Sequence, residues 1–204
     1  MILWQDPEQS LFEEKKPDPE KLGSIDPVNQ ASRSVEAAFS PDGTMMVLTR
    51  RSMDFEKTTP EETGADLYLS KWNGRTWSRP EEMSELNTSG DERGAAFSRD
   101  GRYLYFTSNR EGGAGGYDIY VARNNGQTWT AIERLGDAVN SPKDETGPAP
   151  STDGRKLYFS TNREDGSPEL DIYVAERNLP KAPATTAAVD AVIINQSSDG
   201  WKFT

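Results

Sequence analysis

The chain has 204 residues, a net charge of −11, 33% hydrophobic residues and a mean hydropathy of −0.81. That is enough for one domain with a real core, wrapped in an acidic surface that repels nucleic-acid phosphate and argues against DNA or RNA binding. His and Cys are both absent, which excludes a Ser-His-Asp triad, a Cys-His dyad, a His-ligated zinc site and any disulfide within these residues.

Residues 1–21 are rich in Pro, Glu, Lys and Asp, and Pro17-Asp18-Pro19 forbids regular structure, so this stretch reads as a linker or arm. Met1 to Pro7 lacks the basic start and apolar stretch of a secretory leader. The longest late apolar stretch, Ala187 to Ile194, is interrupted by Asp190 and is too short to span a bilayer. The expectation is therefore no signal peptide in this chain and no membrane insertion.

Residues 22–178 contain one module three times, over 22–83, 84–135 and 136–178. Asp-Gly pairs at 42–43, 100–101 and 153–154 recur at spacings of 58 and 53 residues. Each copy reads as short strands split by turn signals. In the first copy the expected strands are 35–40, 45–50, 66–71 and 76–83, with Arg51 to Ala65 as a long loop. In the second they are 94–98, 103–108, 117–123 and 128–135, and in the third 147–151, 156–161 and 170–177, with the fourth strand unplaced. The Asp-Gly pairs supply positive φ for a tight hairpin between strands one and two; Asn73-Gly74 and Asn125-Gly126 do so between strands three and four. The expected fold is all-β: three β-propeller blades, each a four-stranded antiparallel meander, forming an incomplete or open ring. In such a meander the tight turns share one face, and the long polar loops gather on the other, near the central axis.

The third copy departs from the others. Asp66 precedes Trp77, and Asp118 precedes Trp129, by 11 residues, whereas Asp171 precedes Trp201 by 30. Residues 179–204 read as a Pro/Ala/Thr-rich linker, with Asp199-Gly200-Trp201 as either the delayed turn and Trp of the third copy or the start of something else.

The string Ser-x-Asp-Gly-x-x-Leu-Tyr-Phe-(Thr/Ser)-(Ser/Thr)-Asn-Arg, followed by Asp-Ile-Tyr-Val-Ala, resembles the TolB-type, WD-repeat-like β-propeller repeat of bacteria. The joiner Leu135 to Glu145 shares the resemblance, and weaker joiners stand at Leu22-Gly23 to Asn29 and at Leu86-Asn87 to Glu92. The first copy departs from it, with Met45-Met46-Val47-Leu48 in place of the Tyr-Phe pattern. The resemblance implies a periplasmic or cell-surface protein that mediates protein contacts. Three blades fall short of the roughly 4–8 of a closed ring. The chain is thus a piece of a longer propeller, pairs with a second copy, or borrows blades from a partner.

On the long-loop face, Asn87, Asp91, Glu92, Asn109, Arg110, Asn140, Asp144, Glu145, Asn162 and Arg163 form the candidate ligand-binding set. Arg110 and Arg163 suit an acidic ligand, against the alternative that they pair with the acids of the repeat. Asp91-Glu92 and Asp144-Glu145, with Asp118 and Asp171, offer the clustered oxygens that Ca²⁺ prefers, but no Asp-x-Asp-x-Asp-Gly loop is present, so the reading is no cofactor, with Ca²⁺ as the alternative. Trp77 and Trp129 read as inter-blade packing rather than as a sugar-stacking platform. Gly112 to Gly116 lacks the helix and Lys of a phosphate loop and reads as a flexible loop. The functional expectation is a non-catalytic module that binds a protein or peptide in the cell envelope. The alternative is the propeller part of a glycosidase, lyase or peptidase whose catalytic residues lie outside the chain.

Overall fold

The computed structural model describes residues 33–54, 61–163, 169–177 and 201–203. The arm at 1–21, the joiner at 22–29 and the linker at 179–200 lie outside the described residues. Among the described residues, twelve strands build three four-stranded antiparallel sheets. Blade one comprises β1 (Arg33–Phe39), β2 (Met45–Asp54), β3 (Glu61–Lys71) and β4 (Glu81–Glu82). Blade two comprises β5 (Glu92–Phe97), β6 (Tyr103–Ser108), β7 (Asp118–Asn124) and β8 (Trp129–Arg134). Blade three comprises β9 (Glu145–Pro150), β10 (Lys156–Thr161), β11 (Asp171–Arg177) and β12 (Trp201–Phe203). Every sheet follows chain order, and β5 packs between β1 and β9, so the first strands converge toward one axis. The result is an open arc of propeller blades.

The Ser-x-Asp-Gly sequence explains the repeated hairpin. Ser40, Ser98 and Ser151 each donate a hydroxyl hydrogen bond to the Asp two residues on and accept one from the amide five residues on. Gly43, Gly101 and Gly154 close the loop at φ of 68–69°, where a Cβ would be strained. The Ser40 hydroxyl, then the Thr44 amide, lower the Asp42 pKa, and Ser151 and Arg155 act likewise on Asp153.

Two expectations need revision in blade one. The ladder runs on through Arg51–Ala65 and Ser52–Thr63 to Asp54–Glu61, so most of the expected loop is strand. Conversely, the fourth strand shrinks to Glu81–Glu82, preceded by an isolated Trp72–Trp77 bridge. In blade three the delayed Trp is resolved: Arg177 pairs with Trp201 on the same rung that pairs Asn124 with Trp129 and Trp72 with Trp77.

Packing follows the alternation of the strands. Leu104 and Phe106 face blade one, where they meet Val47, Leu67, Met83 and Leu86. Tyr105 and Ile119 face blade three, where they meet Leu157, Phe159 and Val139. Each of these apolar side chains is under 10% exposed and contributes about 1.5–3 kcal/mol when fully buried. Trp129 packs on Phe97 inside the first cluster, whereas Trp77 lies between Phe39 and Trp72.

Candidate functional site

The long-loop face has a buried layer and an outer layer. In the buried layer, Glu92 is fully enclosed and accepts from the Thr88 amide and hydroxyl at 2.8 Å, from the Ser108 hydroxyl at 2.6 Å and from Arg110 Nη2 at 3.3 Å. Arg110 also donates to the Leu86 carbonyl at 2.7 Å, and its guanidinium lies over Tyr120 and Phe106. Blade three repeats the arrangement: Glu145 accepts from Ser141, Thr161 and Arg163, and Arg163 donates to the Val139 carbonyl while lying over Phe159 and Tyr173. These charged groups are thus satisfied within their own blade.

Asn87 and Asn140 join neighbouring blades. Asn87 accepts from the Leu67 amide at 2.9 Å and donates to the Leu67 carbonyl at 3.0 Å. Asn140, 1% exposed, does the same for Ile119 at 2.7 and 3.0 Å and adds a bond to the Leu135 carbonyl. Each joiner is therefore tied backward by Asn and forward by the Glu–Arg lock.

Asp91, Asp144, Asn109 and Asn162 form the outer layer. Asn109 and Asn162 each accept from the amide of the joiner acid, Asp91 at 2.6 Å and Asp144 at 2.9 Å. Asp91 accepts from the Ala65 amide of blade one and from the Tyr117 hydroxyl at 2.8 Å, and Asp144 accepts from the Tyr117 amide at 2.9 Å. Tyr117 is therefore held by the acids of two joiners. Burial, then the bond to Asp91, raises its phenol pKa above the usual value. Arg93, on the axial strand β5, lies over the Tyr117 ring at 3.9 Å, and no carboxylate pairs with it among the described residues.

Arg93 and Tyr117 are absent from the sequence-derived set. They were legible only as departures from the repeat: Arg93 stands where the other copies have Val35 and Thr146, and Tyr117 where they have Ala65 and Leu170. A group present once in a repeat protein is not required by the repeat.

The glycine run is a contact surface. A Cβ on Gly115 would come within 2.0 Å of the Lys143 carbonyl, and one on Gly116 within 2.3 Å of Asp144 Oδ1. Asp118, buried below, takes the Ala114 and Gly115 amides on Oδ2, while Oδ1 lies 3.9 Å from Arg134 Nη1. Asp171 is exposed. Among the described residues no group of three or more acids could hold a metal ion.

A cleft of about 560 Å³ opens on the opposite face, between the Pro41-Asp42 and Asp100-Gly101 hairpins. Both Asp side chains in its wall are spent on their own turns, and the cleft is wide open to solvent. The long-loop face carries the more specific groups.

No protein-family model matches the sequence, and no curated protein matches it. Among solved structures the chain is similar to TolB from Acinetobacter baumannii, with 26% identity over 69% of this chain and 29% of that one, and a TM-score of 0.46. It is also similar to a protein assigned as TolB from Agrobacterium tumefaciens, with 24% identity over 70% and 46% of the two chains and a TM-score of 0.43. A puromycin-hydrolyzing peptidase of Mycobacterium tuberculosis is similar at 17% identity over 72% and 22%, with a TM-score of 0.49. This chain spans less than half the length of each of these proteins.

Proposed function

We propose that these TolB-like blades are a non-catalytic binding module that takes a protein or peptide of the bacterial cell envelope on the long-loop face. The observation that carries this is the Arg93–Tyr117 pair: a half-buried guanidinium on an axial strand, stacked on an aromatic ring held from two joiners, with no carboxylate paired to it among the described residues. Such a cation accepts an incoming carboxylate in charge-assisted geometry, and the ring supplies flat apolar area beside it. Asp91, Asp144, Asn109 and Asn162 frame the pair. Glu92, Arg110, Asn87, Asn140, Glu145 and Arg163 hold the frame rigid from beneath. TolB likeness supports a periplasmic or surface location.

The test is capture from envelope extracts by the immobilised chain, comparing wild type with Arg93→Glu and with Arg102→Glu on the opposite face. Loss of a captured protein in Arg93→Glu alone, with melting unchanged in both, supports the assignment. Equal capture by all three removes it.

A further inference from the structure

Each junction in the arc has two halves. One half is a bare rung on strand three of the preceding blade, and the other is the joiner of the next blade, whose Asn clamps that rung. Leu67 and Ile119 are such rungs: both side chains are fully buried, and both backbones are held by Asn87 and Asn140. The ladder places Ile172 on the same rung of blade three, since Thr107 pairs with Ile119 and Ser160 with Ile172. Ile172 is 79% exposed, and among the described residues nothing bonds to its outward amide and carbonyl. Tyr158 is 41% exposed where its counterpart Tyr105 is 7%.

The missing half is legible ahead of blade one. Asn87 precedes Glu92, and Asn140 precedes Glu145, by five residues. Glu92 pairs with Ser108, Glu145 with Thr161 and Ser34 with Arg50, so these three residues occupy one rung in three sheets. Five residues before Ser34 is Asn29, and Val28 stands where Leu86 and Val139 stand in the other joiners. No repeat of this kind precedes Asn29 in these 204 residues. The Ile172 rung and the start of β1 belong to blades three and one, with blade two packed between them. At this end of the arc Phe39 is 56% exposed, whereas its counterpart Phe97 packs into the blade one–blade two core.

We infer that blade three docks the Leu22–Asn29 joiner of a second copy, with Asn29 taking the Ile172 amide and carbonyl and Val28 covering the Ile172 side chain. Two such junctions would join two arcs into one six-bladed ring.

The test is light scattering of the whole chain over a wide concentration range. Wild type is expected to move from 22.6 kDa to twice that mass. Ile172→Asp should remain monomeric and should melt like the wild type at concentrations where both are monomers, because the side chain is exposed; Tyr158→Asp provides a second probe of the same face. Asn29→Ala should weaken association about a hundredfold, which is about tenfold at each of the two junctions, the worth there of roughly one to two hydrogen bonds. Oxidation of a mixture of Asn29→Cys and Ile172→Cys chains should give a disulfide between the two variants, because the parent has no cysteine. A wild-type chain that stays monomeric throughout overturns the inference. Association that Ile172→Asp leaves intact overturns it too, as does association sensitive to Ile172 but indifferent to Asn29.

Discussion

Replacing Glu92 with Ala should be among the costliest single changes in the molecule. The carboxylate is fully buried and accepts four hydrogen bonds, from Thr88, Ser108 and Arg110. Its removal leaves the Arg110 guanidinium, whose side chain is 16% exposed, without an anion in an aromatic pocket, and it leaves the Thr88 amide without its acceptor. Breaking a buried ion pair from one side costs about 3–5 kcal/mol. With a urea m-value of about 2–3 kcal/mol/M, the unfolding midpoint should fall by roughly 1–2.5 M. The companion change Arg110→Met removes the stranded cation while keeping apolar cover over Tyr120 and Phe106. The double variant should therefore recover about 1–3 kcal/mol relative to the sum of the singles. Urea titrations followed by tryptophan fluorescence would measure all three. A Glu92→Ala cost under 1 kcal/mol, or strict additivity in the cycle, would refute the claim that this pair locks the blade.

Further outcomes can be checked alongside. Asp66 is pushed above the usual carboxylate range by burial, then by Glu82, Glu92 and Asp91, so its charge opposes folding at neutral pH. Asp66→Asn should raise Tm at pH 7, and the gain should shrink as pH falls through the raised pKa toward 3.8; a constant gain across that range would count against burial as the cause. Asp42 and Asp153 have the opposite sign, since their lowered pKa values add stability that is present above about pH 4 and lost as pH falls below it. Asp42→Asn should therefore flatten the acid limb of the melting curve. Gly115→Ala should destabilise the contact between blades two and three by about 1–3 kcal/mol, because its Cβ would meet the backbone of Lys143 and Ser141; hydrogen exchange at Tyr117 would register the loosening. Millimolar Ca²⁺ should leave Tm unchanged, because Asp91, Asp118 and Asp144 already accept amide hydrogens; a rise reversed by a chelator would show otherwise.

Blade boundaries were readable in the sequence because the Ser-x-Asp-Gly hairpin carries its own chemistry in four adjacent residues. Tyr103 to Ser108 and Lys156 to Thr161 fall where the alternation places them. The β2–β3 extension was hidden, because a run such as Arg51-Ser52-Met53-Asp54 has no apolar period, and what marks it as strand is its backbone pairing with β3. The strand at Trp201 was left open for another reason: the Asp-Gly-Trp signal was there, but a separation of 24 residues from Arg177 hid which copy it completes. At the site, the repeated Glu and Arg were visible, but the number of their bonds was not. The glycine run had pointed to looseness, whereas its lack of side chains serves close approach. Arg93 and Tyr117 were invisible to any search for what recurs.

The Glu–Arg lock also bears on how such a chain can change its size. Each lock closes within one blade and its own joiner, so the buried Glu–Arg pair does not depend on a neighbour. What crosses a boundary is the joiner's asparagine and aspartate, which hold backbone groups of the preceding blade, and a patch of aliphatic and aromatic side chains. A duplicated or deleted module would leave every remaining lock intact and would have to fit one seam of apolar packing and joiner-to-backbone bonds. Stability then accrues by nearest neighbours, as in other repeat arrays. The number of blades becomes a property that insertion and loss can alter without redesigning the interior of any one of them.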